Sequence, residues 1–291
     1  MHTIQPGIFY GLVRLLSASA HGSSKVSQQI LQSQILVTVA SLFESSSYLC
    51  GGVSSMPFSP NTAAQLLILI EIIDKVLPTV SCGDVASLDG FEQLKKERNQ
   101  EEYHILCPDP TPEGMKVKDF LYSNQDYLNA VAMRLLIVLL NLQSSSVSFE
   151  VKGKANKVIE KVIFYSSTDC LESMREIPFS DYLSGLLRAR DSLLVVQGLK
   201  LAALLLHKLP LIFQHIFLRE GPAYEINALV HRQRDDTKNK TRKQWKGLIP
   251  AVASELVSEY FSNEKGELMG TLLVFQCFAK NFGPRLLTLS F

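Results

Sequence analysis

A chain of 291 residues with 46% hydrophobic and 20% charged side chains can bury a sizeable core, which excludes an intrinsically disordered protein. The net charge of +1 leaves no global field to draw it to nucleic acid or an anionic membrane. Five cysteines, Cys50, Cys82, Cys107, Cys170 and Cys277, are odd in number, far apart and without a C-x-x-C pair. That spacing argues against a disulfide framework or structural zinc, and for thiols in a reducing compartment.

The first apolar stretch, IFYGLVRLLSASAHG, ends on Ala18-Ser19-Ala20 as a secretory leader would. No lysine or arginine precedes it and Arg14 interrupts it, so the leader pattern is incomplete. SSKVSQQILQSQILVTVASLFES follows as one helix, with Val26, Ile30, Ile35, Val39 and Leu42 on its apolar face. NTAAQLLILIEIIDKVLP is the next, capped by Asn61 and stopped by Pro78. From Ser81 to Gly114 the helical period is lost among Gly83, Gly90, Pro108, Pro110 and Pro112. This segment is expected to be an inserted loop with one short exposed helix in EQLKKERNQEE.

NQDYLNAVAMRLLIVLLNLQ places Leu128, Val131, Leu135, Leu139 and Leu142 at steps of three and four, with Asn124 as its cap. VSFEV alternates briefly but leads into KGKANKVIEKVIFYSS, which has helical period. A shorter helix, FSDYLSGLLRAR, separates this from RDSLLVVQGLKLAALLLHKLP, capped by Asp191 or Ser192 and ended by Pro210. Gly198, Ala202 and Ala203 are small enough for a neighbouring helix to approach closely. KLPLIFQHIFLREG then forms an elbow: Pro210 stops one helix, a short one restarts, and Gly221-Pro222 stops it in turn. Leu211, Ile212, Ile216 and Phe217 are available to the core. AYEINALVHR begins the next helix. His231 to Lys246, HRQRDDTKNKTRKQWK, sets seven lysines and arginines against two aspartates, so the rest of the chain is net acidic. This basic loop suits a solvated surface, an acidic partner or a nuclear-localisation-like signal. Trp245 alone is a poor stacking platform for nucleic acid.

Charges interrupt every long apolar run, among them Glu71, Asp74, Arg134 and Lys200, so none reaches the ~18 uncharged residues of a membrane span. A soluble intracellular protein is expected. No phosphate-binding glycine loop, dinucleotide fingerprint, zinc-protease helix or nucleophile elbow occurs. The acids and glycines of CGDVASLDGFE do not alternate as a calcium loop requires. His207 and His215 lie on separate helices across a proline, a poor arrangement for a metal pair. Long helices alternating with shorter ones, two of them ending in Lys-x-Pro or Lys-x-x-Pro cadences, point to an all-α, armadillo/HEAT-like right-handed α-solenoid spanning 1–291.

From Asn156 to Val230 the pattern resembles the armadillo region of HECT-type ubiquitin ligases of the ubiquitin-fusion-degradation and thyroid-receptor-interactor class, with plant and fungal relatives. The Phe164-Tyr165-Ser166-Ser167 turn, the short helix of Ile177 to Leu187 and the elbow carry it. In the elbow the matching residues are Lys208, Leu209, Pro210, Phe213, Phe217, Arg219, Glu220 and Gly221. A weaker likeness extends over Ile68 to Leu268. The resemblance implies a non-catalytic scaffold that holds substrate or ubiquitin-bearing proteins, in nucleus or cytoplasm, without cofactors. Ubiquitin transfer, and contact with an E2, would belong to a HECT domain that these 291 residues do not contain, so Cys277 is not the transfer cysteine. A concave face is expected to carry Gln197, Lys200, His207 and Lys208, with Lys240, Arg242 and Lys243 of the basic loop as further partner contacts. Arg219 and Glu220 are expected to fix the elbow. The competing expectation is a stand-alone armadillo cargo adaptor. Such adaptors present ladders of Trp and Asn, and this chain has a single Trp.

Overall fold

The computed structural model describes residues 6–33, 35–42, 60–80, 110–144, 149–231 and 247–262. Within them every regular element is helical and none is a strand. In chain order they are α1 (Pro6–Gly22), α2 (Ser24–Gln32), α3 (35–42), α4 (Pro60–Val76), α5 (Pro112–Ser123), α6 (Asp126–Ser144) and α7 (Phe149–Tyr165). Then come α8 (Thr168–Ser173), α9 (Phe179–Leu187), α10 (Ser192–Lys208), α11 (Pro210–Glu220), α12 (Pro222–Val230) and α13 (Leu248–Leu256), which runs into a π-helical turn, Val257–Phe261. No helix among the described residues is long and apolar enough to cross a membrane.

Local chemistry sets the boundaries. Pro6, Pro60, Pro112, Pro210 and Pro222 are each the first residue of a helix, where the absent N–H would have had no partner. Prolines therefore start helices here as much as they end them. Serines that follow apolar helices cap the next one: Ser23 accepts from the Val26 N–H, and Ser167 from the Cys170 N–H at 3.1 Å. Asp191 caps α10 by accepting from Leu193 and Leu194. Asn124 instead closes α5, donating through Nδ2 to the Phe120 carbonyl, and the Gln125 carbonyl opens α6. Asn61 lies inside the first turn of α4, which begins one residue earlier on proline. The helix expected over residues 23–45 breaks at Ser33, whose hydroxyl donates to the Ile30 carbonyl and accepts from the Ile35 N–H. A serine side chain that satisfies backbone groups competes with continuing the helix.

The long helices α1, α4, α7 and α10 have 17 residues each. They pack in sequence, α1 on α4, α4 on α7, α7 on α10, and α10 on the shorter α13. A second row runs beside them, α6 on α9 and α9 on α12, tied across by α6–α7, α9–α10 and α12–α13 contacts. Stacking on chain neighbours is consistent with an α-solenoid. Buried apolar residues from Val13 to Phe261 form one cluster. Gly198 allows the close approach of α9: a Cβ there would sit 3.0 Å from the Leu186 Cβ.

Lysines reach back along the long row to cap the preceding helix. Lys161 on α7 donates to the Asp74 and Leu77 carbonyls at the end of α4, at 2.6 and 3.0 Å, and pairs with the Asp74 carboxylate at 2.7 Å. Lys208, at the end of α10, donates to the Phe164 and Ser166 carbonyls at the end of α7. Each supplies a cation where the helix dipole favours one and where carbonyls lack intrahelical donors. At the insert of residues 81–114, residues 110–114 are described and run into α5, and the EQLKKERNQEE stretch lies outside the described residues. Glu113 on α5 accepts from the Ser24 backbone N–H at 3.0 Å, which holds α5 against the start of α2.

Candidate functional site

At the elbow, the Leu209 N–H still reaches the Leu205 carbonyl, and Pro210 then starts α11. Phe213, Phe217 and Leu218 turn inward, with the Phe213 ring 5.9 Å from Phe179 and 5.7 Å from Phe217. Gly221 ends α11 at φ 111°, left-handed backbone that glycine adopts without strain, and its N–H reaches the Phe217 carbonyl. The Gln214 amide donates to the Tyr260 carbonyl in the π-helical turn at 2.6 Å.

With the phenylalanines inward, the opposite face of α11 is open. Leu211 is 83% exposed, Ile212 and Ile216 are half-buried, and His215 is exposed. Leu211 was expected to be available to the core, but the first turn of α11 points it outward while Phe213 takes the inward place. This face and the α8–α9 connection enclose a groove of about 1040 Å3. The facing wall carries Glu172, Arg175, Glu176, Ile177 and Pro178, with Asp181 from the first turn of α9. Arg219 pairs with Glu220 on the rim, and this pairing holds the Glu220 carboxyl below the usual carboxylate range. Glu172, Glu176 and Asp181 are exposed and have no ion-pair partner among the described residues. The groove thus has an apolar strip of Leu211, Ile212 and Ile216 on α11 and a predominantly anionic wall opposite.

Two of the residues expected on a concave face, Gln197 and Lys200, are buried. Gln197 is buried and accepts from the Asn156 amide at 2.9 Å, and Asn156 accepts in turn from the Tyr182 hydroxyl, whose pKa burial drives upward. Lys200 is 1% exposed and lies 2.6 Å from the Glu160 carboxylate. Both side chains point inward because α10 is surrounded by α7, α9, α11 and α13, so polar residues on it must find partners within the protein. Lys208 is half-buried over the Phe164 ring, and burial pushes its pKa down to about 8. Of the four, His207 alone is exposed. Lys240, Arg242 and Lys243 lie outside the described residues, as do all the cysteines except Cys170, a half-buried free thiol. Ile177, Pro178, Asp181, Arg219 and Glu220 fall inside the segments that carry the family resemblance, but no motif marked these residues or Glu172, Glu176 and Leu211 as the two walls of one groove. The one available signal was Leu211, an apolar residue two positions before Phe213 and so on the other side of a short helix.

The chain is 26% identical over 229 residues to the E3 ubiquitin-protein ligase UPL3 of Arabidopsis thaliana, a match covering 76% of this chain and 12% of that protein. It is 29% identical over 97 residues to the E3 ubiquitin-protein ligase TRIP12 of Danio rerio, covering 33% of this chain and 5% of that protein. No protein-family profile and no solved structure matches it. The chain is homologous to a region of HECT-type E3 ubiquitin ligases.

Proposed function

We propose that this chain is a non-catalytic, protein-binding scaffold region of a HECT-type ubiquitin ligase, which holds a substrate or substrate-linked ubiquitin for transfer by a catalytic domain. The observation that carries this reading is the similarity to UPL3 across 76% of the chain. The packing supports it. Successive long helices joined through Lys161 and Lys208 make a stiff arm, and a stiff arm keeps a bound substrate at high effective concentration near a tethered catalytic centre. The exposed groove at the elbow is a surface through which such a substrate can be held. The role would serve ubiquitin-dependent protein degradation in nucleus or cytoplasm.

Titration of the purified chain with ubiquitin, di-ubiquitin and a ubiquitin-fusion protein tests this. Saturable binding to a ubiquitin-bearing ligand is expected. Failure to bind any of the three, by a chain whose circular dichroism is helical, would overturn the reading and favour a stand-alone adaptor.

A further inference from the structure

We infer that the groove between α11 and the α8–α9 connection docks a short, lysine- or arginine-rich segment of a partner protein, with an apolar side chain seated on Leu211. The inference rests on the reading of this chain as a protein-binding region and names the chemistry of one partner for it.

Leu211 is not needed where it stands for the fold. Phe213, Phe217 and Leu218 already anchor α11, and Leu211 is left 83% exposed beside the half-buried Ile212 and Ile216. Scattered exposed leucines are ordinary, but this one lines a concave groove with apolar neighbours on both walls, since Ile177 and Pro178 face it. An apolar side chain placed there would remove Leu211 from water without disturbing the core.

Charge decides what flanks that apolar side chain. Among the described residues, Glu172, Glu176 and Asp181 stand on the facing wall without ion-pair partners, while Arg219 is engaged by Glu220. As isolated surface acids they would only solvate the protein, and Asp181 also suits the first turn of α9. Gathered around a concave apolar floor, they favour a cationic segment and repel an acidic one. Arg175 and His215 temper this field and set where on the wall a cation can sit. An anchor of one apolar side chain between two cations fits the groove, as in recognition of short peptides by alternating pockets and charges.

The test is fluorescence anisotropy with the whole chain. Two labelled twelve-residue peptides serve as probes, each with leucines at positions four apart, one with lysines at the remaining sites and one with glutamates. The lysine peptide is expected to bind saturably, about tenfold more weakly to Leu211→Ser and about tenfold more weakly to the Glu172→Lys/Glu176→Lys double variant. Raising salt from 50 to 500 mM should weaken binding to the native chain and much less so to the double variant. All three positions are exposed, so the variants are expected to keep native melting curves. Equal affinity of native and variant chains, or preference for the glutamate peptide, would overturn the inference. So would a dimer in sedimentation that Leu211→Ser dissociates, since the groove would then be an interface between copies. If the ubiquitin fusion binds and the lysine peptide does not, only this inference falls. If the peptide binds and no ubiquitin-bearing ligand does, it is the scaffold reading that falls.

Discussion

Helices α10 and α11 are joined end to end at Leu209–Pro210 and are both strongly apolar, yet they meet opposite fates. α10 buries fourteen of its 17 residues, including Gln197 and Lys200, while α11 buries three of its eleven and leaves Leu211 almost fully exposed. Composition alone does not account for so large a difference. Position does: α10 is enclosed by α7, α9, α11 and α13, whereas α11 lies on the rim, with contacts to α9, α10, α12 and the π-helical turn. In this architecture a polar residue on an enclosed helix is structural, and an apolar residue on a rim helix is available for binding.

The sharpest test of that contrast is Lys200→Ala. It would leave Glu160, 15% exposed, without its cation, and a broken buried pair costs about 3–5 kcal/mol. A surface-binding lysine would cost almost nothing, so an unchanged urea midpoint would break the comparison. Next in size is a matched pair of leucines. Leu205→Ala on α10, at 0% exposure, should cost about 2–5 kcal/mol, and Leu211→Ala on α11 less than about 0.5 kcal/mol. Comparable losses at the two sites would show that the rim leucine is also core. A smaller effect is expected of Gly198→Ala. The added Cβ would press on the Leu186 Cβ at 3.0 Å and on the Leu187 side chain, with a loss of about 1–3 kcal/mol in the same denaturation assay. A gain in stability there would mean that α9 can move aside, and that the contact between the rows is looser than the side-chain packing implies.

Much of the fold was legible because its signals are local. Helical period, the Asp191 cap and the Gly221 stop are each set within a few residues, and the class follows from their number and alternation. The errors fell where side chains choose between local and distant partners. Ser33 and Asn124 took backbone groups that ended helices, and no periodicity marks that choice. The candidate site was much less legible. Gln197, Lys200 and Lys208 look like a polar stripe on an apolar helix, and a stripe cannot say whether water or another helix lies beyond it. Glu160, Asn156 and the α7 carbonyls, roughly forty residues away in the chain, supply their partners. The groove joins α11 to residues some 35 positions earlier, so neither wall is recognisable until the two are packed together.

The subtlest test compares the two capping lysines. Lys161 has the Asp74 carboxylate at 2.7 Å, whereas Lys208 has two carbonyls, the face of Phe164 and the Cys170 thiol, whose pKa burial pushes up. Burial lowers the pKa of both, but only Lys161 has a carboxylate opposing the shift. Lys208 is held at about 8 against 10.5 when unfolded. Below pH 8 both states are protonated, and the burden of the half-buried charge is fully present. Between about 8 and 10.5 the unfolded chain holds a proton that the folded chain has released, so this site adds stability as pH rises. A neutral amine keeps two N–H groups, enough for the Phe164 and Ser166 carbonyls, so the cap survives deprotonation. Denaturation midpoints of the native chain and Lys208→Met, followed from pH 7 to 10, should therefore diverge in favour of the native chain as pH increases. A constant gap would mean that Lys208 stays solvated and charged. The enclosed end of α10 would then be more open to water than its neighbours, and the contrast between α10 and α11 would begin before Pro210.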